Sequence, residues 1–564
     1  MGRAALAGTI ALSLAPGFGP AAAQAAGNAA RYGGVLHVVM PWAGVPDNFN
    51  PLAPGQAATT AGGTGSAIYE PLMYFNPYNG RVTDILATGY AWADGGRTLD
   101  VSTRPGVAWS DGQPFSAADV AFTFNYIGRF PALDRSGIWR DGLISVEATG
   151  PGTVVLRFGQ PDTAALPFVG EQLIVPEHIW SGINDPVSFT NPKPVGTGPF
   201  VLQSRTRTTV NYKKNPSYWL TGRPYISGIS MQAVKSDAAA QLSLMAGKAA
   251  YTSVPIAAPS GTYGAANPAW DQWWWPVTGV NFLYMGTQRP PFDDITFRRA
   301  VAMAINNHVV AGRAYFGAIP AASGPAETGV TDGQLAEWAP ASLRPLEWSY
   351  NPAGALRLLE AHGYELVDGL LDAPGGAALP TYKIVVGADW TDYISMAETI
   401  GQELLSIGIR TTISQEPVAA YNSSARTGRF DLLIGWSSGN GPTPYYEYND
   451  LLRSGPPGSP RSTSPAQGAG TDYERFSSPG TDAALADFAA TTSLARQRAD
   501  IVSIERAVLS DVPVVALTGR PDFFEYTTRY FTGWPDAADP YNAGEAPDSF
   551  TGGAEELYVN VHLN

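Results

Sequence analysis

The chain has 564 residues, too many for one ordinary core, so two or three lobes are expected. Hydrophobic residues make up 45% and charged residues only 15%, the profile of a globular chain and not of a disordered one. Its 35 basic and 49 acidic residues give a net charge of −14, which excludes a nucleic-acid binder, and with no Cys there is neither a disulfide nor a thiolate to do chemistry.

Residues 1–26 read as a secretory signal. Arg3 supplies the basic start, residues 4–14 the apolar run, and Ala23-Gln24-Ala25 an A-x-A cleavage site. The run is too short to span a bilayer, and no other stretch is apolar enough to do so. The absence of Cys removes a lipid anchor on that residue, so the expected product is a secreted or periplasmic protein, soluble after signal cleavage. Residues 34–40, GVLHVVM, alternate as a strand does. A turn-rich loop, PDNFNP at 46–51, and Tyr69-Glu70-Pro71-Leu72 follow.

Residues 107–127 read VAWSDGQPFSAADVAFTFNYI. Ser110-Asp111-Gly112 supplies a tight turn, because Gly tolerates positive φ and Asp bonds its own backbone. Ser116 is placed as an N-cap, and Asp119 can answer it in a capping box. Val120, Phe122, Phe124 and Ile127 then mark an apolar helix. TVVLRF at 153–158 is a strand. Gly196-Thr197-Gly198-Pro199 is a loop, and 200–203 with 208–212 form a hairpin that leads to Tyr218-Trp219 and Arg223-Pro224-Tyr225.

Residues 294–310, DITFRRAVAMAINNHVV, predict one helix. Phe297, Val301, Ile305 and Val309 recur every fourth position, with Arg298 and Arg299 on the outside. Tyr350-Asn351-Pro352 caps a further helix that runs to His362-Gly363-Tyr364. A strand at 383–386, a helix at 395–407 closed by Gly408, and a strand at 409–413 read as a βαβ unit. Residues 454–480 are rich in Gly, Pro and Ser and read as an exposed loop, followed by a helix at 495–509 and the strand PVVAL at 513–517.

Five of these stretches resemble, in order, the signature motifs of family 5 extracytoplasmic solute-binding proteins. These are the peptide, nickel and oligosaccharide receptors of ATP-binding-cassette importers. The stretches are WSDGQPFSAADVAFTF, GTGPF with NPSYW and GRPY, the helix at 294–310, YNPAGALRLLEAHGY, and the first strand with its NP loop and YEPL. The resemblance implies an α/β, periplasmic-binding-protein-like fold of the cluster C type, with two lobes around a ligand cleft and a third subdomain. On that reading residues 27–275 form lobe I, with a subdomain at about 75–190. Residues 276–514 form lobe II, and 515–564 return to lobe I.

Catalysis has little support. Gly435-Trp436-Ser437-Ser438-Gly439 fits the G-x-S-x-G elbow of serine hydrolases and follows an apolar strand at 430–434. That chemistry needs a helix directly after the turn, and Asn440-Gly441-Pro442-Thr443-Pro444 breaks one there. The histidines at 37, 178, 308, 362 and 562 are scattered and never at ligand spacing, so no metal site is expected. No Walker A or dinucleotide fingerprint is present, and no cofactor is expected.

For the ligand, peptide receptors of the resembling family often place an Asp after the strand equivalent to 431–435, where it meets the peptide's ammonium. Here Ser, Gly and Asn follow Trp436, and GWPDAADPY at 533–541 resembles the branch that binds β-linked oligosaccharides such as cellobiose. Sugars offer C–H faces to flat rings and hydroxyls to amides. The expected ligand contacts are Trp42, Trp274, Trp275, Asn281, Trp436, Asn440, Tyr445 and Trp534. The expectation is therefore a monomeric receptor, not an enzyme, that takes a neutral oligosaccharide and hands it to importer permease subunits. An oligopeptide receptor on the same fold is the alternative, and a secreted serine hydrolase is a remote one.

Overall fold

The alternating run near the start forms the strand Val35–Met40, whose Leu36, Val38, Val39 and Met40 are buried. A computed structural model describes residues 31–41, 44–45, 47–53, 67–322, 338, 341–347, 349–388, 390–437, 441–454, 473–544 and 552–564. The expected signal, Trp42 and Asn440 lie outside the described residues.

Val35–Met40 sits in the middle of a seven-stranded sheet. It runs parallel to Gly228–Ala233 on one side and to Tyr251–Thr252 on the other. The hairpin Phe200–Arg205 and Thr209–Lys214 completes one edge, and Glu525–Thr527 and Asp271–Trp273 complete the other. Residues 87–158 build a separate four-stranded antiparallel sheet on which the helix Ala117–Arg129 packs.

That helix starts as the sequence dictates. The Ser116 hydroxyl accepts from the Ala118 N–H, and the Asp119 carboxylate accepts from the Ser116 N–H at 2.9 Å. Val120, Phe124 and Ile127 are buried beneath it. Loss of such a cap costs about 1 kcal/mol, so Ser116→Ala should lower the unfolding free energy in urea by that much. An unchanged midpoint would show that the Asp119 bond alone closes the helix end.

The second sheet has five strands in the order 411–416, 382–387, 432–436, 277–285, 514–521. Tyr382–Gly387, the helix Thr391–Leu405 and Thr411–Glu416 make the expected βαβ unit, with the two strands adjacent and parallel. Gly408 follows the helix at φ +84, a conformation that costs Gly little.

The single helix expected over 294–310 is instead two, Ile295–Ala304 and Asn307–Tyr315. Ile305 is extended at φ −95 and ψ 128, and the Asn306 side chain accepts from His308 N and Val309 N, so it caps a new helix. A polar cap inside an apolar repeat wins over the repeat. Arg298 is also not outside. It is 4% exposed, and its guanidinium donates to the carbonyls of Phe292, Asp511 and Val512. It thereby closes the end of the helix Leu494–Asp511.

The chain crosses between the two large sheets twice, at 274–276 and at 522–524. The first crossing joins Asp271–Trp273 to Val277–Met285, and the second joins Val514–Pro521 to Glu525–Thr527. The strand 514–521 pairs along 277–284. The return therefore falls after 521 and not at 515, because the apolar run PVVAL continues through Thr518 to Pro521 as one strand. Away from these crossings, residues 163–168 of the first half meet the second half directly. The Thr163 hydroxyl donates to the carbonyls of Ala489 and Thr491, the Tyr446 hydroxyl donates to Ala164 O, and the Phe168 and Tyr446 rings lie 6.0 Å apart.

Candidate functional site

Strand direction locates the site. Trp436 lies opposite Asn281, and Pro521 lies opposite Val277. The carboxyl ends of 432–436, 514–521 and the parallel 382–387 therefore all point toward the crossings. In open α/β sheets the crevice beyond the carboxyl strand ends is where ligands sit.

Trp436 is the half-buried ring at this edge. Trp390 and Tyr393, from the segment after Tyr382–Gly387, lie 5.6 and 6.1 Å from it, and the Arg520 guanidinium lies 5.8 Å from its ring centre. Across the strand pair from it, Asn281 is fully buried and fully engaged. Its amide donates to the Tyr315 and Thr518 hydroxyls and to Gly519 O, and its carbonyl accepts from Tyr393 at 2.7 Å. The Tyr315 hydroxyl donates onward to Asp392. Asn281 is thus the keystone that fixes the rings, since each buried polar group must find a partner.

Beside Trp436, Ser437 donates to Asp450 at 2.8 Å. Glu447 and Asp450 come from the helix Tyr445–Leu452. Glu447 Oε1 is buried without a hydrogen-bond partner. Burial, with the charge of Asp450, pushes the Glu447 carboxyl up to about 8, although Arg520 and Ser437 pull it down. Burial also raises Asp392 and Asp522. Among the described residues no histidine is shown bonded to Ser437 of the G-x-S-x-G stretch. The partner of Ser437 is a carboxylate, and His562 is paired with Thr532 beside the first sheet. Among the described residues no group of His, Cys, Asp and Glu could hold a metal ion, and no helix is long and apolar enough to cross a membrane.

The other expected contacts distribute as follows. Trp273, the last residue of its strand, and Trp275, in the crossing, have rings 5.4 Å apart, while the Trp274 ring lies against Tyr78 at 5.3 Å. Trp275 is 7% exposed, and its N–H donates to Glu525, whose carboxyl burial raises to about 8. Tyr445 is buried and stacks on Phe488 at 4.7 Å. Trp534 is 7% exposed within the hydrophobic core of the first half, against Tyr251, Phe524 and Tyr526, and its N–H donates to Phe531 O. Trp436 and Asn281 are brought together, and Trp534 is not near them in the sheet order. Trp390, Tyr393 and Arg520 were missed. Their position just past or at the carboxyl ends of strands of this sheet is the signal that could have found them.

A model of the bacterial extracellular solute-binding proteins, family 5 Middle, matches residues 81–459 of this chain. The glutathione-binding protein GsiB of Salmonella typhi is 27% identical over 326 residues, which cover 57% of this chain and 60% of that protein. The chain thus spans about 60% of the length of such curated relatives. Among solved structures, the mannohexaose-bound periplasmic oligopeptide-binding protein of Thermotoga maritima is similar with a TM-score of 0.80 at 22% identity, over 94% of this chain and 98% of that one. The oligopeptide-binding protein AppA of Bacillus subtilis, in complex with a nonapeptide, is similar at 0.71 and 20% identity, over 92% of this chain and 99% of that one. At these identities the structural likeness is one of fold.

Proposed function

The chain belongs to the bacterial extracellular solute-binding proteins of family 5, and from that premise we propose that it captures a neutral oligosaccharide of the β-gluco type for an ATP-binding-cassette importer. It acts outside the cytoplasm, after removal of its signal, as a monomer that delivers the solute to permease subunits. It performs no chemistry on the solute. Capture proceeds by closure of the two lobes about the crossings at 274–276 and 522–524. The ligand bridges both lobes and stabilises the closed state by contacts absent from the open one.

The observation that carries this reading is the Trp436 ring, half-buried beside Trp390 and Tyr393 over a floor of satisfied hydrogen bonds. A ring so held offers a flat face to a sugar at small entropic cost. The buried acids around it support an uncharged ligand. With a carboxyl raised to about 8, Glu447 is protonated at pH 7 and can donate to a hydroxyl.

A second reading, capture of a peptide, draws on the same residue. An arriving ammonium would find Glu447 and Asp450 near Arg520, and could ionise Glu447 as it binds. Calorimetry at pH 7 in buffers of different ionisation enthalpy separates the two. Cello-oligosaccharides should bind with no proton exchange. Tight binding of di- to pentapeptides with proton release, and none of sugars, would establish the peptide reading instead. In either case bound ligand at about a hundred times its dissociation constant should add about 2.7 kcal/mol of stability.

A further inference from the structure

Several stretches that carry the family's signature meet in the first half of the fold. Gly198 N donates to Ile68 O at 2.8 Å, and a Cβ on Gly196 would lie 1.9 Å from that same carbonyl. Ser110 N, from the WSDG turn, donates to Gly196 O at 2.9 Å. Asn215 donates its amide to Gly198 O at 2.8 Å. The glycine loop is therefore clamped against 67–70, and the 215–219 segment is clamped against the loop. This knot has one outcome that backbone packing does not require. It places Tyr218 and Trp219 as donors over two buried acids.

Those acids are Glu70, at 0% exposure, and Glu555, at 3%, in the first turn of the helix Gly553–Asn560. Trp219 Nε1 donates to Glu70 Oε1 at 2.8 Å, and the Tyr218 hydroxyl donates to Glu555 Oε1 at 3.0 Å. Donors on consecutive residues thus hold the two carboxyl groups as neighbours, and each Oε2 atom is buried with no hydrogen-bond partner. Two ionised carboxylates are acceptors only and cannot bond each other. Neighbouring carboxyl groups buried with unpartnered oxygens cannot both stay ionised, and one hydrogen held between them relieves both.

We propose that Glu70 and Glu555 share one proton, and that this proton clasps the C-terminal helix to the first lobe as a pH-sensitive joint. The surroundings suit a pair with a single negative charge. Arg104 faces Glu70, with its guanidinium over the Trp219 ring at 4.3 Å. Glu556 on the same helix adds a like charge against Glu555, and Thr197 and Tyr218 are the remaining polar neighbours. Burial raises both carboxyls above the usual 4.5, and the charge of Glu70 raises Glu555 further. With the helix released, both acids ionise near their ordinary value. The clasped state therefore holds one more proton than the released state. Its hold is complete below about pH 4.5 and declines as pH climbs toward the raised value, by about tenfold in the opening equilibrium per pH unit for one proton.

Hydrogen exchange of residues 553–560 between pH 5 and 9, corrected for intrinsic amide chemistry, measures that opening directly. In the wild type, protection of this helix should fall as pH rises above about 4.5, by at most about tenfold per pH unit. Glu555→Gln keeps a permanent N–H donor toward Glu70, so its protection should be independent of pH. Glu70→Gln should behave likewise and serves if the first variant folds poorly. Protection in the wild type that is flat with pH, or the same slope in wild type and both variants, would overturn the shared proton. None of this depends on which solute the cleft takes.

Discussion

Trp436→Ala should weaken oligosaccharide binding by about 30-fold or more, the equivalent of about 2 kcal/mol for a buried aromatic hot spot. The ring is half-buried at a strand end, with Trp390, Tyr393 and the Arg520 guanidinium around it. Truncation removes the stacking face and leaves Trp390 and Tyr393 free to lean into the gap, so affinity should change far more than stability. Calorimetry against a series of cello-oligosaccharides reads the affinity, and a urea titration reads the stability. A tight sugar ligand whose affinity changes by less than threefold would remove Trp436 from the site while leaving the receptor class intact. A large loss of stability with normal affinity would make Trp436 a core ring, like Trp534.

The contrast between these two tryptophans marks what the sequence could reveal. Both sit in motif-like stretches, and nothing in composition separates a ring that packs from one that binds. Burial separates them, and burial depends on which strands come together across hundreds of residues. Local signals were read well. Ser116 and Asp119 specify their capping box from adjacent positions, and the βαβ unit at 382–416 follows from strand, helix and glycine in order. The reading at 294–310 missed a cap, because Asn306 lies inside an unbroken apolar repeat and its side chain bonds forward to His308 and Val309. Charge alone puts Arg298 on the outside. Its partners, the carbonyls at 511 and 512, lie on a distant helix end that no periodicity reveals. The same applies to Trp390, Tyr393 and Arg520, which meet Trp436 only once the second sheet is assembled.

Asn281→Leu should cost about 3 kcal/mol of stability, the largest effect expected of any single change at the cleft. The substitution keeps the shape and removes both halves of the amide. Its neighbours are not affected equally. The Tyr315 hydroxyl retains Asp392, and the Thr518 hydroxyl retains Gly519 O. Tyr393, 6% exposed, loses the acceptor that its hydroxyl reaches at 2.7 Å. An orphaned buried hydroxyl costs about 1–3 kcal/mol, so most of the loss should pass through Tyr393. Tyr393→Phe in the same chain then deletes the orphan, and the double variant should be less destabilised than the sum of the singles by about 1 kcal/mol or more. Strict additivity in urea titrations would mean that Asn281 and Tyr393 are not coupled and that the floor under Trp436 is held some other way. Because Asn281 is the cross-strand partner of Trp436, the double variant should also recover part of the affinity lost by Asn281→Leu alone. Recovery of stability without recovery of binding would instead assign the amide itself to the ligand, where no repacking of the tyrosine can replace it.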